Sequence, residues 1–175
     1  RAMLADISNI WDGPVLALPH HARQIGRKVP VQQHVLHVAY EGGPEYLGPW
    51  FDVLERACAA RSWCLTINPH SLDTADIIVA LRAAQGHPVR NWKSNVKLAN
   101  AQGLGIPCVL SREAGYLETA SGAECWADTE RELNAAFDML APYSERLQRA
   151  VTLEAAAPSL EDAAGAYRRW IEAVL

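Results

Sequence analysis

Ile77-Ile78-Val79-Ala80-Leu81 is an unbroken apolar run, and its reading decides the fold. A strand with one wet face alternates apolar and polar residues, whereas a strand covered on both faces of a parallel sheet reads as a continuous run. Val15-Leu16-Ala17-Leu18, Val35 to Tyr40, Cys64-Leu65-Thr66-Ile67 and Cys108-Val109-Leu110 have the same character and are bounded by turn residues. A run this short is also compatible with a buried helix segment. The segments between the runs carry helical periods: Trp50, Val53, Leu54 and Ala57 share one face behind Pro49. Thr129 and Glu132 form a capping-box pair ahead of Leu133, Ala136, Phe137 and Leu140, and Ser159 caps a stripe of Leu160, Ala164, Tyr167, Ile171 and Val174. Strands alternating with helices predict an α/β fold: a Rossmann-like, doubly wound parallel sheet closed by a C-terminal helical segment.

Composition narrows the class of partner. The chain has 175 residues, half of them apolar, with 16 basic against 20 acidic side chains and a net charge of −4. A domain of roughly 150 residues hides about two thirds of its unfolded surface, so this length supports a core without disulfide or metal staples. The basic residues are scattered, which argues against nucleic acid as a partner. Apolar stretches stay short and the start is broken by Asp6 and Asp12, so neither a transmembrane segment nor a secretory signal is expected. Cys58, Cys64, Cys108 and Cys125 lack CxxC spacing, which points to a cytoplasmic protein with reduced thiols. The chain opens on Arg1, which suggests a piece of a longer protein. Residues 1–34, with one strand-like run, His20-His21 and then Arg23, Arg27 and Lys28, read as an interdomain connection; residues 35–175 read as the domain itself.

Trp92-Lys93-Ser94-Asn95-Val96-Lys97-Leu98-Ala99-Asn100-Ala101-Gln102-Gly103-Leu104-Gly105-Ile106-Pro107 reads as a helix leading into a strand. Ser94 is the expected N-cap, which places Lys97 at the third helical position with Lys93 flanking the same end. Each cation beside the positive pole of a helix forfeits about 0.3–1 kcal/mol unless an anion sits among them. In an open α/β sheet, ligands gather beyond the carboxyl ends of the strands, where this helix begins. Arg82, just past the run at 77–81, is a further phosphate ligand, and Gly42 and Gly43 permit a ligand to approach the backbone. With Gly48 they do not make a GxGxxG fingerprint. His34 and His37 face opposite sides of a strand, so no metal site is expected. No GxSxG elbow occurs, and no catalytic residue is assigned.

The succession Ala75-Asp76-Ile77-Ile78-Val79-Ala80, Lys93-Ser94-Asn95-Val96-Lys97-Leu98, Gly105-Ile106-Pro107-Cys108-Val109 and Glu113-Ala114-Gly115-Tyr116-Leu117-Glu118 resembles a known arrangement. It is similar to the C-terminal nucleotide-sugar-binding domain of GT-B glycosyltransferases of the group 1 kind, from about Val35 to Leu140. The resemblance implies that Lys97 meets the donor diphosphate, with Ser94 and Asn95 supplying donors at the helix start; Lys93 and Arg82, from their positions in the sequence, are expected beside it. Asn100 stands where the family has a glutamate for the ribose hydroxyls, so ribose or sugar contact is shared with Glu118, Gly42 and Gly43. Trp92 replaces a second family glutamate, and the basic pair after the first strand is replaced by Glu41-Gly42-Gly43-Pro44, which leaves the stereochemical outcome open. The implied function is the donor-binding half of a glycosyltransferase of hexosyltransferase type, incomplete without an N-terminal acceptor-binding domain. Its donor substrate is a nucleotide-diphosphate sugar, with no separate cofactor. The alternatives are a catalytically inactive glycosyltransferase-like binding module and a nucleotide-sugar epimerase.

Overall fold

The computed structural model describes residues 2–26, 29–82 and 94–175. A short helix α1 (Ala2–Ile7) and an extended arm precede β1 (His37–Tyr40), a 3-10 turn (Pro44–Tyr46), α2 (Trp50–Ala59), β2 (Cys64–Ile67) and β3 (Ile77–Ala80). Then come α3 (Val96–Leu104), β4 (Cys108–Leu110), α4 (Ala114–Leu117), β5 (Cys125–Trp126), α5 (Glu130–Leu140), α6 (Tyr143–Ala155) and α7 (Leu160–Val174). The strands make one all-parallel sheet in the order β2-β1-β3-β4-β5. Ala39 pairs with Thr66 on one side and Ile78 on the other, and Ile78 with Cys108 in turn. The chain steps outward from β1 to β2, then works the opposite way through β3, β4 and β5. The order therefore reverses between β1 and β3, the position at which open α/β sheets form their ligand crevice.

Both faces of the sheet are covered. Val38, Tyr40, Ile77, Val79 and Val109 point to one side and pack with Leu54 of α2 and Leu133, Phe137 and Leu140 of α5. Ala39, Ile78, Ala80, Cys108 and Leu110 point to the other and pack with Leu98 and Leu104 of α3, Tyr116 of α4 and Leu153 of α6. This alternation is the period of two that a strand imposes. Every residue of β3 is at most 3% exposed, so the continuous apolar run has the environment its composition predicts. Burying each branched side chain contributes about 1.5–3 kcal/mol.

Two strand expectations need correction. Cys64 to Ile67, expected among the inner strands, is the edge strand β2: Cys64 is exposed and Leu65, Thr66 and Ile67 are half-buried, because β2 has β1 as its single neighbour. Val15 to Leu18 forms no strand. This apolar run is instead part of an arm that crosses α3 at residues 20–26. There the His20 and Arg23 backbone N–H groups donate to the side-chain oxygens of Asn95 (2.8 Å) and Asn100 (3.1 Å). Gly26 N–H donates to the Gly103 carbonyl at 2.8 Å. Gly103 is the residue that allows this approach, since a Cβ there would collide with the Gln24 carbonyl oxygen.

Helix ends follow local chemistry. The capping box at α5 forms: Thr129 accepts from the Glu132 N–H at 3.2 Å, and the Glu132 carboxylate accepts from Thr129 N–H at 3.1 Å. The Asp128 N–H, also on that carboxylate, is the main reason its pKa lies below the usual range. Ser159 caps α7 through the Asp162 N–H. At α3 the expected Ser94 cap is displaced by one residue: Asn95 occupies the cap position without a side-chain cap bond, its oxygen already taken by His20 N–H. Lys97 is thereby the second helical residue instead of the third. α3 ends at Gly105 in the left-handed region (φ +58), where a Cβ would come within 3.1 Å of the Ala150 carbonyl of α6.

The foot of the sheet rests on a buried cation. Arg146 is wholly enclosed, and its guanidinium donates to the carbonyls of Leu140 (2.7 Å), Ala141 (2.5 Å), Gln32 (2.7 Å) and Gln33 (3.2 Å). It thus satisfies the last carbonyls of α5 and ties them to the segment that leads into β1. Asp76, 3% exposed, accepts from the N–H groups of Leu36 (2.9 Å) and His37 (3.0 Å) on the same end and is the charge that offsets the desolvation of Arg146.

Arg146→Met should destabilise the chain by about 3–5 kcal/mol, because it leaves four carbonyls without their donor and the buried Asp76 carboxylate without its compensating charge. Urea denaturation measures this directly; a loss under about 1 kcal/mol would show that water replaces the guanidinium. Gly103→Ala should keep the core folded while lifting the arm, read as new proteolytic cleavage confined to residues N-terminal of β1. An unchanged digestion pattern would refute the close packing of the arm on α3.

Candidate functional site

The carboxyl ends of β1, β3 and β4 carry the polar side chains that the sheet interior excludes. Tyr40 ends β1 with its ring fully buried, and Lys97 from the first turn of α3 lies over that ring, Nζ 4.2 Å from its centroid. The contact is a cation–π interaction worth about 0.5–1 kcal/mol, comparable to the cost of a cation at a helix N-terminus. Gly42 makes room for it: at φ +143 it has a conformation L side chains rarely adopt, and a Cβ would stand 3.0 Å from the ammonium. Two residues past β3, Arg82 meets Glu113, three residues past β4, in a two-pronged pair (Nε to Oε1 2.8 Å, Nη2 to Oε2 3.1 Å). Both side chains are at most 10% exposed. The Arg82 N–H also donates to Ser111 Oγ at 3.4 Å.

Burial dominates the electrostatics of this edge. It pushes the Tyr40 phenol up to about 12; Glu45 adds to the rise and Arg82 opposes it. Tyr116 is raised further by the same desolvation, with Glu113 contributing. The Tyr40 hydroxyl has no hydrogen-bond partner among the described residues. Cys58 and Cys108, buried under opposite faces, are also raised by desolvation, Cys58 to about 11. These thiols are protonated packing groups, not nucleophiles.

The residues singled out in the sequence separate into three places. Lys97, Gly42 and Arg82 gather at the β1/β3 crevice. Ser94, Asn95 and Glu118 line a cavity of about 540 Å³ whose other wall is α1 and residues 15–20 of the arm, with Leu4, Ile7 and Leu16 giving it an apolar surface. Asn100 is 4% exposed and engaged at both ends of its amide: its oxygen accepts from Arg23 N–H, and its nitrogen donates to the two Glu41 oxygens at 3.1 and 2.9 Å. Gly43 has ordinary extended geometry (φ −66) at the start of the 3-10 turn. Lys93 and Trp92 lie outside the described residues.

Glu41, Tyr40 and Glu113 were not singled out. The Arg82–Glu113 pair had a signal, since opposite charges just past neighbouring parallel strands fall side by side. Glu41 had none, because its partner stands 59 residues away on α3. Among the described residues no group of three or more His, Cys, Asp or Glu side chains is placed to hold a metal ion, and no helix is long and apolar enough to cross a membrane.

Fold and edge define an α/β domain with a Rossmann-like, all-parallel sheet and polar side chains at the strand ends beside its order reversal. No family model matches the chain, and no curated protein matches it.

The raised Tyr40 pKa has a pH consequence. A phenol whose folded value exceeds its unfolded value of 10 contributes stability that is whole below pH 10 and is lost as the pH rises through 12. Thermal midpoints measured across this interval should fall, and Tyr40→Phe should flatten part of the fall. An identical profile in the variant would assign the loss to other groups.

Proposed function

We propose that the chain is the donor-binding half of a glycosyltransferase of the group 1 kind, built as one doubly wound half of a GT-B fold. It holds a nucleotide-diphosphate sugar while a second, acceptor-binding domain presents the other substrate. The observation that carries the reading is Lys97 standing over the end of β1 beside a glycine that has yielded its Cβ to the ammonium, at the point where strand order reverses. A diphosphate there would meet the ammonium and the N-terminal end of α3 together. In transfer, Lys97 would stabilise the negative charge growing on the departing diphosphate, an electrostatic role needing no proton movement. Ribose contact would fall to a group other than Asn100, whose amide is already committed to Arg23 and Glu41.

A second reading, a glycosyltransferase-like binding module without turnover, draws on one specific feature. Arg82 is clamped by Glu113, which halves the positive charge the crevice offers. Donor hydrolysis or transfer separates the two.

Calorimetric titration with UDP, GDP, dTDP and ADP should show binding by the 175-residue chain. Lys97→Ala should weaken it tenfold to a hundredfold, about 1.5–3 kcal/mol, the loss of one charge-assisted contact. The unliganded fold should change by less than about 1 kcal/mol, because the lost cation–π contact and the relieved helix-pole repulsion offset each other. Absence of binding at millimolar nucleotide by the folded chain, or an affinity untouched by Lys97→Ala, would overturn the reading.

A further inference from the structure

A second cavity, of about 360 Å³, opens between the arm, the loop after β2 and the outer side of α3. Its walls are set by hydrogen bonds made before any ligand arrives. Glu41 is held by the buried Asn100 amide, which is itself fixed by Arg23 N–H. Across from it, Asp73 is held by Gln24 Nε2 at 3.0 Å and by Ser71 Oγ at 2.8 Å. Arg23 and His70 are also in the lining, whose apolar part is Pro69, Leu72 and Leu104.

The chemistry of this lining selects among ligand classes. An anion would use Arg23 and meet two carboxylates. An amine would use the carboxylates and meet a guanidinium. A hydroxyl both donates and accepts, so a molecule carrying several of them can address Glu41 and Asp73 as acceptors and Arg23 and His70 as donors together. A carboxylate with one edge on an amide keeps lone pairs for neighbouring hydroxyls, and bonds of this charge-assisted kind are the stronger ones. The volume lies at the low end of small-molecule pockets, about 300–1,000 Å³, which suits a single sugar ring.

We propose that this cavity is a binding site for a neutral polyol of monosaccharide size, oriented by Glu41 and Asp73. The site uses none of Lys97, Arg82 or Gly42, so it stands independently of diphosphate binding at the crevice. Glu41 is the specificity-determining acceptor, and Asn100 acts through it as a positioning residue.

Amide NMR titrations of the 175-residue chain with D-ribose and D-glucose test the proposal, with putrescine and inorganic phosphate as comparators. At least one sugar should give saturable shifts on the backbone amides of Glu41, Ser71 and Asp73 and on the Asn100 side-chain amide. Glu41→Gln, which keeps an oxygen for Asn100, should raise the apparent Kd at least fivefold with an unchanged thermal midpoint, and Asp73→Asn should act in the same direction. The proposal is overturned if neither sugar shifts these signals saturably, if both variants bind as the parent does, or if putrescine or phosphate moves the same signals and the sugars do not. The Arg82 amide belongs to the crevice and not to this lining, so absence of phosphate shifts there counts against the donor-binding reading and not against this site.

Discussion

A strand with no solvent on either face constrains everything around it. β3 is such a strand, and its backbone groups must be paired on both edges while its side chains are covered on both faces. The neighbours β1 and β4 meet the first requirement, and α2 and α5 on one side with α3, α4 and α6 on the other meet the second. Polar chemistry is thereby expelled to the two ends of the sheet. At the amino end it is structural, where Arg146 and Asp76 serve backbone groups of helix and strand. At the carboxyl end the strands stop at Tyr40, Ala80 and Leu110, and Lys97, Arg82 and Glu113 gather there.

What could be read from residues alone follows the range of the forces involved. β1, β3 and β4 were legible because double-sided burial leaves a local mark, a continuous apolar run. Capping at Thr129 and Ser159 was legible because it operates within a single turn. β2 carries almost the same local mark as β3, yet its place at the edge is a property of sheet order, which no run of four residues encodes. Val15 to Leu18 fails for a related reason: Val15, Ala17 and Leu18 are exposed and line a cavity instead of joining a ladder. Arg146 was invisible, since nothing in a basic residue on an amphipathic helix announces that its guanidinium will be enclosed by carbonyls from distant segments.

The candidate site was legible in position and only in part in connectivity. Lys97 and Gly42 were both singled out, and tertiary structure adds that they are neighbours, one having no Cβ so that the other's ammonium can fit. The resemblance makes Asn95 a donor at the helix start and Asn100 a ribose contact in place of a glutamate, since an amide can both donate and accept. The same property suits them to an extended segment with unpaired N–H groups, and the arm supplies one. An arm that joins no strand takes its backbone partners where it crosses other elements, here the Asn95 and Asn100 side chains and the Gly103 carbonyl of α3 and the Pro158 carbonyl.

This use of α3 links the arm to the strand ends. Asn100 has one oxygen and one nitrogen; the first takes the Arg23 N–H and the second holds Glu41, the residue after β1. Moving the arm by an ångström would therefore rotate the amide and release the carboxylate, one residue from Gly42 and its contact with Lys97. Because both ends of the Asn100 amide are hydrogen-bonded and the residue is buried, the displacement has little slack in which to dissipate. The geometry at the end of β1 and of the second cavity is accordingly set jointly by the sheet and by a segment with no regular structure of its own.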